Sequence, residues 1–410
     1  MTAGDGEQGT GDGLPGAHVR IRLFPRRPPW SAVLALAALF ASFGGCENTA
    51  GPEGPPPDVT AAVERLGNPF TVASPYARNV WDMQLFRGRI YLGHGDSIDN
   101  WGPIPIWSLD PAGGRLAAEF TADEEQVDVF RVLGGSLYVP GHDPRDDWTF
   151  GNLYRLDGAG WVKLRTIPHG LHAFDVALHD GKLVAALGTA GTPDEPTLLA
   201  SEDGGLTWTP AAGVSERIYG LFELMGMLYA EPLLRAEPDD PSQGFLLKLE
   251  GGSFTFTRAE GSRLLPGLPR GAYGRMVRPT AFAGALVYVV AANTFDWIPA
   301  ALAVTTSLTD ARRVALPDPA AVPFDLLVRG GTLHVLAAAR AAEGGYTVSV
   351  YSTGDLESWR ELFHFHAAAF ARSFEEQGGD FYFGLGSTYN APSPATGDLL
   401  RVRRASYASR

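Results

Sequence analysis

Two loops of the chain repeat an acidic pattern beside a tryptophan, offset by 47 residues. The shared pattern is D-x-x-D-[N/D]-W, and a histidine precedes it in each loop. Clustered oxygen ligands suit Ca²⁺, although no EF-hand pattern is present. Carboxylates beside an exposed indole also suit a sugar, and a third interpretation is that these residues only form turns in a duplicated segment. The residues are His94, Asp96, Asp99, Asn100 and Trp101 in the first loop, and His142, Asp143, Asp146, Asp147 and Trp148 in the second.

Arginines form a second candidate set, because the guanidinium group binds a carboxylate with two parallel hydrogen bonds. They lie near the entry to the inner strands of different repeats, so several of them are expected to point toward the mouth of the channel. The alternative is that they only neutralise an acidic channel. These residues are Arg78, Arg217, Arg275, Arg278 and Arg372.

Asp82, Asp175 and Asp325 each lie six residues before a glycine that recurs along the chain. Repetition at one position favours a structural role, in which the carboxylates cap backbone groups of the inner strands around the channel. The alternative role is that of a general acid or base at the mouth of a channel, with His172 as the partner of Asp175.

Histidines on adjacent repeats raise the question of a metal. His94, His142 and His172 would need the fold to bring them together, since no short H-x-H or H-E-x-x-H spacing joins them. His364 and His366 do have H-x-H spacing, and we expect them at the surface. We therefore predict no resident metal or other cofactor, with Ca²⁺ as the one candidate.

Composition excludes several classes of function. The formal net charge is −13, which argues against a nucleic-acid partner because nucleic acids are polyanions. No phosphate-binding loop, nucleophile elbow, dinucleotide fingerprint or cysteine-based zinc pattern is present. Nucleotide-driven and thiol chemistry are therefore not expected.

A repeat of about 47 residues must position these candidates. Each repeat has an apolar strand, a turn with glycine and a second strand, which is typical of the blades of a β-propeller. The last repeat lacks a fourth strand, and we predict that Pro69–Ala73 pairs with it and closes the ring. The sequence predicts an all-β, seven-bladed propeller over residues 67–410, with turn glycines at Gly88, Gly135, Gly181, Gly226, Gly284, Gly331 and Gly379.

One hairpin carries the pattern S-x-D-x-G-x-x-W, formed by Ser201, Asp203, Gly205 and Trp208. Incomplete echoes follow Ser352 and Asp157. On these residues the chain resembles the Asp-box (BNR-repeat) β-propellers, a group that includes sialidases and many non-catalytic proteins. The resemblance implies the propeller architecture over most of the mature chain. In sialidases three arginines grip a substrate carboxylate, but this chain has no F/Y-R-I-P motif.

The N-terminal region reads as an export signal. Four arginines precede the apolar run Ser31–Phe43, and Phe43-Gly44-Gly45-Cys46 resembles a bacterial lipobox with Cys46 as the lipidated residue. We predict a lipoprotein signal peptide over 1–45 and a Pro/Gly-rich tether over 46–66. An ordinary cleaved signal or an uncleaved anchor are the alternatives.

These features together predict a secreted monomer, anchored by lipid to the outer membrane, that binds a carbohydrate or related extracellular ligand through loops at the channel mouth. The first alternative is a glycoside hydrolase or lyase that uses Asp, His and Arg side chains there. The second is a scaffold that binds another envelope protein.

Overall fold

The computed structural model describes residues 55–96, 98–99, 101–145, 147–188, 195–212, 214, 216–237, 244–251, 254–292 and 297–408. Cys46, the predicted signal peptide and most of the predicted tether lie outside this part of the chain. Among the described residues, no helix is long and apolar enough to cross a membrane.

Seven hairpin turns at the predicted glycines organise the fold. Each of these glycines has a positive φ, between +74° and +89°, and the residue before it also has a positive φ, between +48° and +66°. Two consecutive positive φ angles are those of a type I′ turn, whose twist matches that of the strands it joins. The glycine spacing therefore marks the turn between the first and second strand of every blade.

Seven antiparallel sheets form the blades of a propeller. The chain begins with β1 (Glu64–Gly67), which belongs to the last blade. Blade 1 contains β2 (Asp82–Phe86), β3 (Arg89–Gly93), β4 (Ile104–Asp110) and β5 (Arg115–Ala122). After the short β6 (Glu124–Gln126), blade 2 contains β7 (Arg131–Leu133), β8 (Ser136–Pro140) and, beyond the short β9 (His142–Pro144), β10 (Phe150–Asp157) and β11 (Gly160–Pro168). Blade 3 contains β12 (His172–His179), β13 (Lys182–Gly188), β14 (Leu198–Ser201) and β15 (Thr209–Ala212).

The second half of the ring repeats this order. Blade 4 contains β16 (Ile218–Leu224), β17 (Met227–Pro232) and, beyond the short β18 (Leu234–Arg235), β19 (Phe245–Glu250) and β20 (Thr255–Glu260). Blade 5 contains β21 (Tyr273–Phe282), β22 (Ala285–Ala292), β23 (Ile298–Thr305) and β24 (Arg312–Val314). Blade 6 contains β25 (Val322–Arg329), β26 (Thr332–Arg340), β27 (Tyr346–Thr353) and β28 (Arg360–Ala367). Blade 7 contains β29 (Phe370–Gln377), β30 (Asp380–Gly386), β31 (Leu399–Val402) and β1. Short 3₁₀ helices occupy Thr60–Ala62, Tyr76–Arg78, Ser262–Leu264 and Arg404–Ser406.

The ring closes through blade 7 as predicted, but a different segment closes it. Glu64–Gly67 pairs with β31, and Arg65 makes two hydrogen bonds to Asp398, at 2.7 and 2.8 Å. The prediction that Pro69–Ala73 forms this strand is wrong. Pro69 has no N–H to donate to a ladder, and Phe70 instead packs into the core between blades 7 and 1.

Seven apolar clusters hold the blades together, one between each pair of neighbours. Between blades 6 and 7, for example, Phe363 of blade 6 packs against Phe381 and Phe383 of blade 7. Because each blade buries both faces in this way, the ring is one continuous fold rather than a row of independent sheets.

The hairpin at Ser201 has the hydrogen bonds that its residues predict. Oδ1 of Asp203 accepts from the N–H groups of Leu206 and Thr207, and Oδ2 accepts from the hydroxyl of Thr207. The bond from the Thr207 hydroxyl, together with the backbone bonds, lowers the pKa of Asp203 to about 2. Trp208 packs between blades 2 and 3. In blade 6 the corresponding hydroxyl belongs to Thr353 rather than Ser352, since Thr353 Oγ1 accepts from the N–H of Leu356 at 2.9 Å.

Candidate ligand site at the channel mouth

A cavity of about 180 Å³, which we call the axial cavity, lies at the mouth of the central channel, and its wall includes one equivalent residue from each blade. Each of these seven residues lies seven positions before the turn glycine of its blade. Aromatic rings predominate, with one acid and one arginine among them. The residues are Trp81, Asp128, Phe174, Tyr219, Val277, Phe324 and Arg372.

β-Bulges turn four of these side chains into the cavity. In blades 3, 4, 6 and 7 the register of the inner strand shifts at one residue: Phe174, Tyr219, Phe324 and Arg372. The extra residue of a bulge has no partner on the neighbouring strand and bends that strand locally, which re-aims its side chain. In these four blades the bulge therefore places one residue at the axis while the flanking residues stay in the ladder.

The carboxylates six residues before the turn glycines cap backbone groups of the inner strands, as predicted, and the capped groups belong to the neighbouring blade. Asp82 accepts the N–H of Phe130 at 2.7 Å, and Asp175 accepts the N–H of Leu221 at 2.9 Å. Asp325 accepts the N–H of Phe374 at 3.1 Å. Each acid thus satisfies a backbone donor of the next blade, and this confirms their capping role.

Arg278 occupies the equivalent position in blade 5 and neutralises two of these acids. Its Nη1 lies 3.0 Å from Asp82 Oδ1, and its Nε lies 3.1 Å from Asp325 Oδ1. Burial still raises the pKa of Asp82, and it raises the pKa of Asp325 to about 7. Arg131 pairs in the same way with Asp175, through two hydrogen bonds of 2.8 and 2.9 Å. These arginines are therefore engaged within the protein.

Three of the predicted arginines, Arg275, Arg278 and Arg372, line the axial cavity, and two of them stack on tryptophans. Arg372 lies over Trp81, 4.2 Å from the ring centroid, and donates to Asn79 Oδ1 and to the carbonyl of Ser387. Arg275 lies over Trp297 at 4.1 Å. The Nε of Arg275 is buried and has no hydrogen-bond partner among the described residues, and burial lowers the pKa of this guanidinium.

Two acids of the cavity wall have opposite pKa shifts. Burial raises the pKa of Glu231 to about 8, although its carboxylate accepts the N–H of Met276 at 2.6 Å. Burial also acts to raise the pKa of Asp128, but His142 and the arginines Arg275 and Arg278 outweigh it and hold that pKa below its ordinary value. At neutral pH the first carboxyl is largely protonated and the second is ionised.

Three side chains beside the cavity converge in a separate cluster. One ligand atom from each of His142, Asp143 and His172 lies within 4.8 Å of the others. The Nδ1 of His172 is in direct contact with Oδ1 of Asp143. Burial, with the neighbouring His142 and Arg217, lowers the pKa of His172 to about 3, so its imidazole is neutral. Two imidazoles beside a carboxylate are ligands that suit a metal ion.

The short strand β9 builds this cluster. His142 pairs directly with His172, the first residue of β12, and the next residue, Asp143, has a φ of +61°. The N–H of Asp143 donates to the carbonyl of Leu171 at 3.1 Å, which holds this left-handed conformation. Phe174 stacks on the ring of His172 and meets His142 edge-on.

Of the described residues predicted in the two duplicated loops, His142 alone lines the axial cavity. His94 is buried, with Nε2 3.0 Å from the carbonyl of Pro105, and Asp96 accepts the N–H of Ile98 at 2.7 Å within its own turn. Asp99 lies 3.4 Å from the hydroxyl of Tyr389.

In the second loop, Asp147 accepts from Thr149 and pairs with Arg165 at the surface. Trp101 and Trp148 are 36% and 57% exposed, and neither lines the axial cavity. Asn100 and Asp146 lie outside the described residues.

The remaining predicted residues are also placed outside the cavity wall. Arg78 ends a 3₁₀ helix and packs against Gly397, while Arg217 packs against Gly188 beside His172. His364 and His366 lie on β28, the outer strand of blade 6, where His364 is half-buried and His366 is exposed. Sequence analysis missed Asp128, Glu231 and the aromatic residues of the wall. Most of these residues lie seven positions before the turn glycine of their blade, and that spacing is the sequence signal that could have identified them.

Comparison with known proteins supports the fold. No protein-family model and no curated protein sequence matches this chain. It is similar to two solved structures of virginiamycin B lyase from Staphylococcus aureus. One is a catalytically inactive variant with quinupristin, with a TM-score of 0.50 and 10% identity over 83% of this chain and 98% of that chain. The other is the selenomethionine-substituted lyase, with a TM-score of 0.51 and 9% identity over the same shares. An auxiliary nutrient binding protein from Bacteroides ovatus matches with a TM-score of 0.45 and 13% identity, over 80% of this chain and 69% of that chain. At this identity the lyase similarities show that the chain is a β-propeller, and the finer resemblance to Asp-box propellers stays a prediction.

Proposed function

We propose that this protein binds a carbohydrate unit that carries a carboxylate, and that the axial cavity is the binding site. The observation that carries this proposal is Arg275, a buried cation on an aromatic-lined wall whose Nε has no hydrogen-bond partner among the described residues. The ligand would enter at the end of the channel where the inner strands begin, which is the face predicted from the sequence.

The aromatic wall suits a sugar ring. Trp81, Phe174, Tyr219, Trp297 and Phe324 all line the cavity. Aromatic side chains offer large apolar faces, and the polar ends of Tyr and Trp can bind hydroxyl groups. Drug-sized pockets are roughly 300–1,000 Å³, so a cavity of about 180 Å³ fits a single ring or the end of a longer saccharide.

Arg275 supports an acidic ligand over a neutral one. Its side chain is fixed by stacking on Trp297, so the guanidinium is oriented before any ligand arrives. A buried N–H group that lacks a partner is costly, and a carboxylate oxygen is the acceptor that satisfies it best. Arg278, by contrast, already has two carboxylates.

We also propose that the protein is exported and held at the outer membrane by a lipid anchor, as its N-terminal sequence predicts. A lipid on Cys46 and a Pro/Gly-rich tether would hold the propeller outside the cell, where saccharides are available as ligands.

Calorimetric titration of the purified full-length protein tests this proposal. The ligands are a uronic-acid disaccharide and the neutral disaccharide of the same linkage. Arg275→Gln should weaken binding of the acidic sugar at least tenfold, because a hydrogen bond to a charged group contributes about 1.5–3 kcal/mol. Binding of the neutral sugar should change little.

Arg258→Gln is the matched control. Arg258 also stacks on an aromatic ring, Phe245 at 4.0 Å, but its side chain is 53% exposed and lies outside the cavity wall. Circular dichroism shows whether each variant is folded. Equal affinity of the folded wild-type protein for the acidic and neutral sugars would contradict the proposal.

Glycoside hydrolysis or elimination is a second candidate function, favoured by the opposite pKa shifts of Glu231 and Asp128. A protonated carboxyl and an ionised one at the same cavity are the two partners that acid–base catalysis at a glycosidic bond uses. Glu231→Gln should abolish product release from uronic-acid oligosaccharides and leave binding in place. Absence of product from the wild-type protein would leave the binding function alone.

A further inference from the structure

We infer that His142, Asp143 and His172 form a binding site for one divalent transition-metal ion. The inference rests on the geometry of these three residues and does not depend on the ligand proposed for the axial cavity. It revises our expectation from the sequence that the protein has no resident metal.

Three unsatisfied buried atoms carry the argument. The Nδ1 atoms of His142 and His172 and Oδ1 of Asp143 are all buried, and none has a hydrogen-bond partner among the described residues. Buried polar atoms in proteins nearly always have a partner, so three such atoms in one cluster require an explanation. The contact between His172 and Asp143 does not provide one, because its geometry is not that of a hydrogen bond. A cation that accepts lone pairs from all three residues would satisfy the three atoms at once.

The backbone at the cluster is held in an uncommon conformation. Asp143 adopts a left-handed φ of +61°, which is rare for a residue other than glycine. Such conformations persist where the surrounding structure imposes them, and they concentrate at functional sites. Here the bridge between His142 and His172 and the hydrogen bond from Asp143 N–H to Leu171 fix it.

Neighbouring side chains complete a supporting shell. Oδ2 of Asp128 lies 3.7 Å from Nδ1 of His142, so a further carboxylate stands beside the three proposed ligands and adds negative charge there. Phe174 packs against both imidazoles. Arg217 near His172, and Arg275 and Arg278 near Asp128, are positive charges that oppose cation binding, whereas the carboxylates of Asp143 and Asp128 favour it.

The ligand set selects the class of metal. Two imidazoles and one carboxylate suit Zn²⁺ or another first-row transition ion, whereas Ca²⁺ and Mg²⁺ prefer oxygen ligands alone. Three protein ligands leave a coordination position for water or a ligand group, as in catalytic zinc sites. Because His142 also lines the axial cavity, the ion would lie beside the cavity wall.

Metal titration of the purified full-length protein tests the inference. After treatment with a chelator, the protein is titrated with Zn²⁺ by calorimetry, with Ca²⁺ and Mg²⁺ in parallel, and with Co²⁺ by visible absorption. One equivalent of Zn²⁺ should bind and raise the midpoint of urea unfolding, because an ion that binds the folded state stabilises it. His172→Gln and Asp143→Asn should each weaken Zn²⁺ binding by at least about tenfold.

His179→Gln is the matched control, because His179 also lies on β12 and contacts a carboxylate, Glu223 at 2.8 Å, outside the cluster. X-ray absorption of the Zn²⁺-loaded wild-type protein should show two imidazole ligands, a result that needs no variant to fold. Failure of the wild-type protein to bind Zn²⁺, or equal Zn²⁺ affinity in the wild-type protein and both cluster variants, would overturn the inference.

Discussion

Replacing Arg278 with glutamine should destabilise the propeller strongly, and the loss should depend on pH. Arg278 lies on the inner strand of blade 5, and its guanidinium pairs with Asp82 of blade 1 and Asp325 of blade 6. It also donates to the carbonyl of Trp81. The three acceptors belong to two different blades, so the substitution removes a link across the axis of the ring.

The magnitude follows from the burial of both acids. Asp82 is 6% exposed and Asp325 is 4% exposed. Removing one partner of a buried ion pair costs about 3–5 kcal/mol, because the remaining charge keeps its desolvation penalty without compensation. We expect the free energy of unfolding to fall by this amount at pH 8. At that pH each buried carboxyl of the variant either ionises without its partner or keeps a proton that the unfolded chain would release.

The sign of the pH effect follows from the pKa shifts. Both folded-state pKa values lie above the ordinary value of 3.8, and that of Asp325 lies near 7, so the folded protein holds these protons more tightly than the unfolded chain. Their contribution to stability is therefore largest at acid pH and falls as the pH rises toward 7. Without Arg278 both pKa values should rise further, although Arg131 and Asp128 still act on Asp82. The variant should consequently be closer to the wild-type protein at pH 5 than at pH 8.

Urea unfolding at pH 5 and pH 8, followed by circular dichroism, measures both effects. Arg329→Gln is the control, since Arg329 pairs with one buried acid, Glu375, but its own side chain is 34% exposed. Adding Asp82→Asn and Asp325→Asn to the Arg278 variant should recover much of the loss. An equal loss at both pH values, or a loss below about 1 kcal/mol at pH 8, would refute the argument.

Three further predictions concern the edge, the first loop and the N-terminus. Deleting Glu64–Gly67 should lower the urea midpoint and promote aggregation, because it exposes the edge of β31; an unchanged midpoint would show that blade 7 closes without it. Asp96→Ala should lower the urea midpoint while calorimetry shows the same ligand affinity, because Asp96 is buried and caps its own turn. Cys46→Ser should abolish incorporation of labelled fatty acid and release the protein from the membrane fraction, and label retained by the variant would place any lipid elsewhere.

The fold could be predicted from the sequence because local chemistry sets it. Two positive φ angles in a row require glycine at the second turn position in this chain, so Gly88 and its six counterparts mark every blade. Closure of the ring could also be predicted, but not the closing segment. The closing strand β1 is an outer strand and is half-exposed, so its sequence has no alternation of apolar residues. It is held instead by the ion pairs of Glu64 with Arg401 and of Arg65 with Asp398. The more apolar Pro69–Ala73 therefore fits a strand pattern better than the segment that closes the ring.

The cavity wall follows a sequence rule that only the structure makes visible. Phe174, Tyr219 and Phe324 are aromatic residues within strands, so residue type alone assigns them to the core. A bulge shifts the register by one residue, and a shift of one residue moves a side chain to the other face. The bulges at these positions depend on how the seven blades pack around the axis, and the sequence of a single repeat does not specify that packing.

The duplicated loops show why spacing alone does not define a site. Asp96 and Asp143 occupy equivalent positions, yet Asp96 accepts N–H groups of its own turn while Asp143 contacts His172 of the next blade. The difference arises at the backbone, since Asp143 lies on β9, which pairs with β12, and adopts a positive φ there. A ligand site between two blades therefore depends on which loop pairs with its neighbour, and identical spacing in sequence produces a turn in one blade and a candidate metal site in the next.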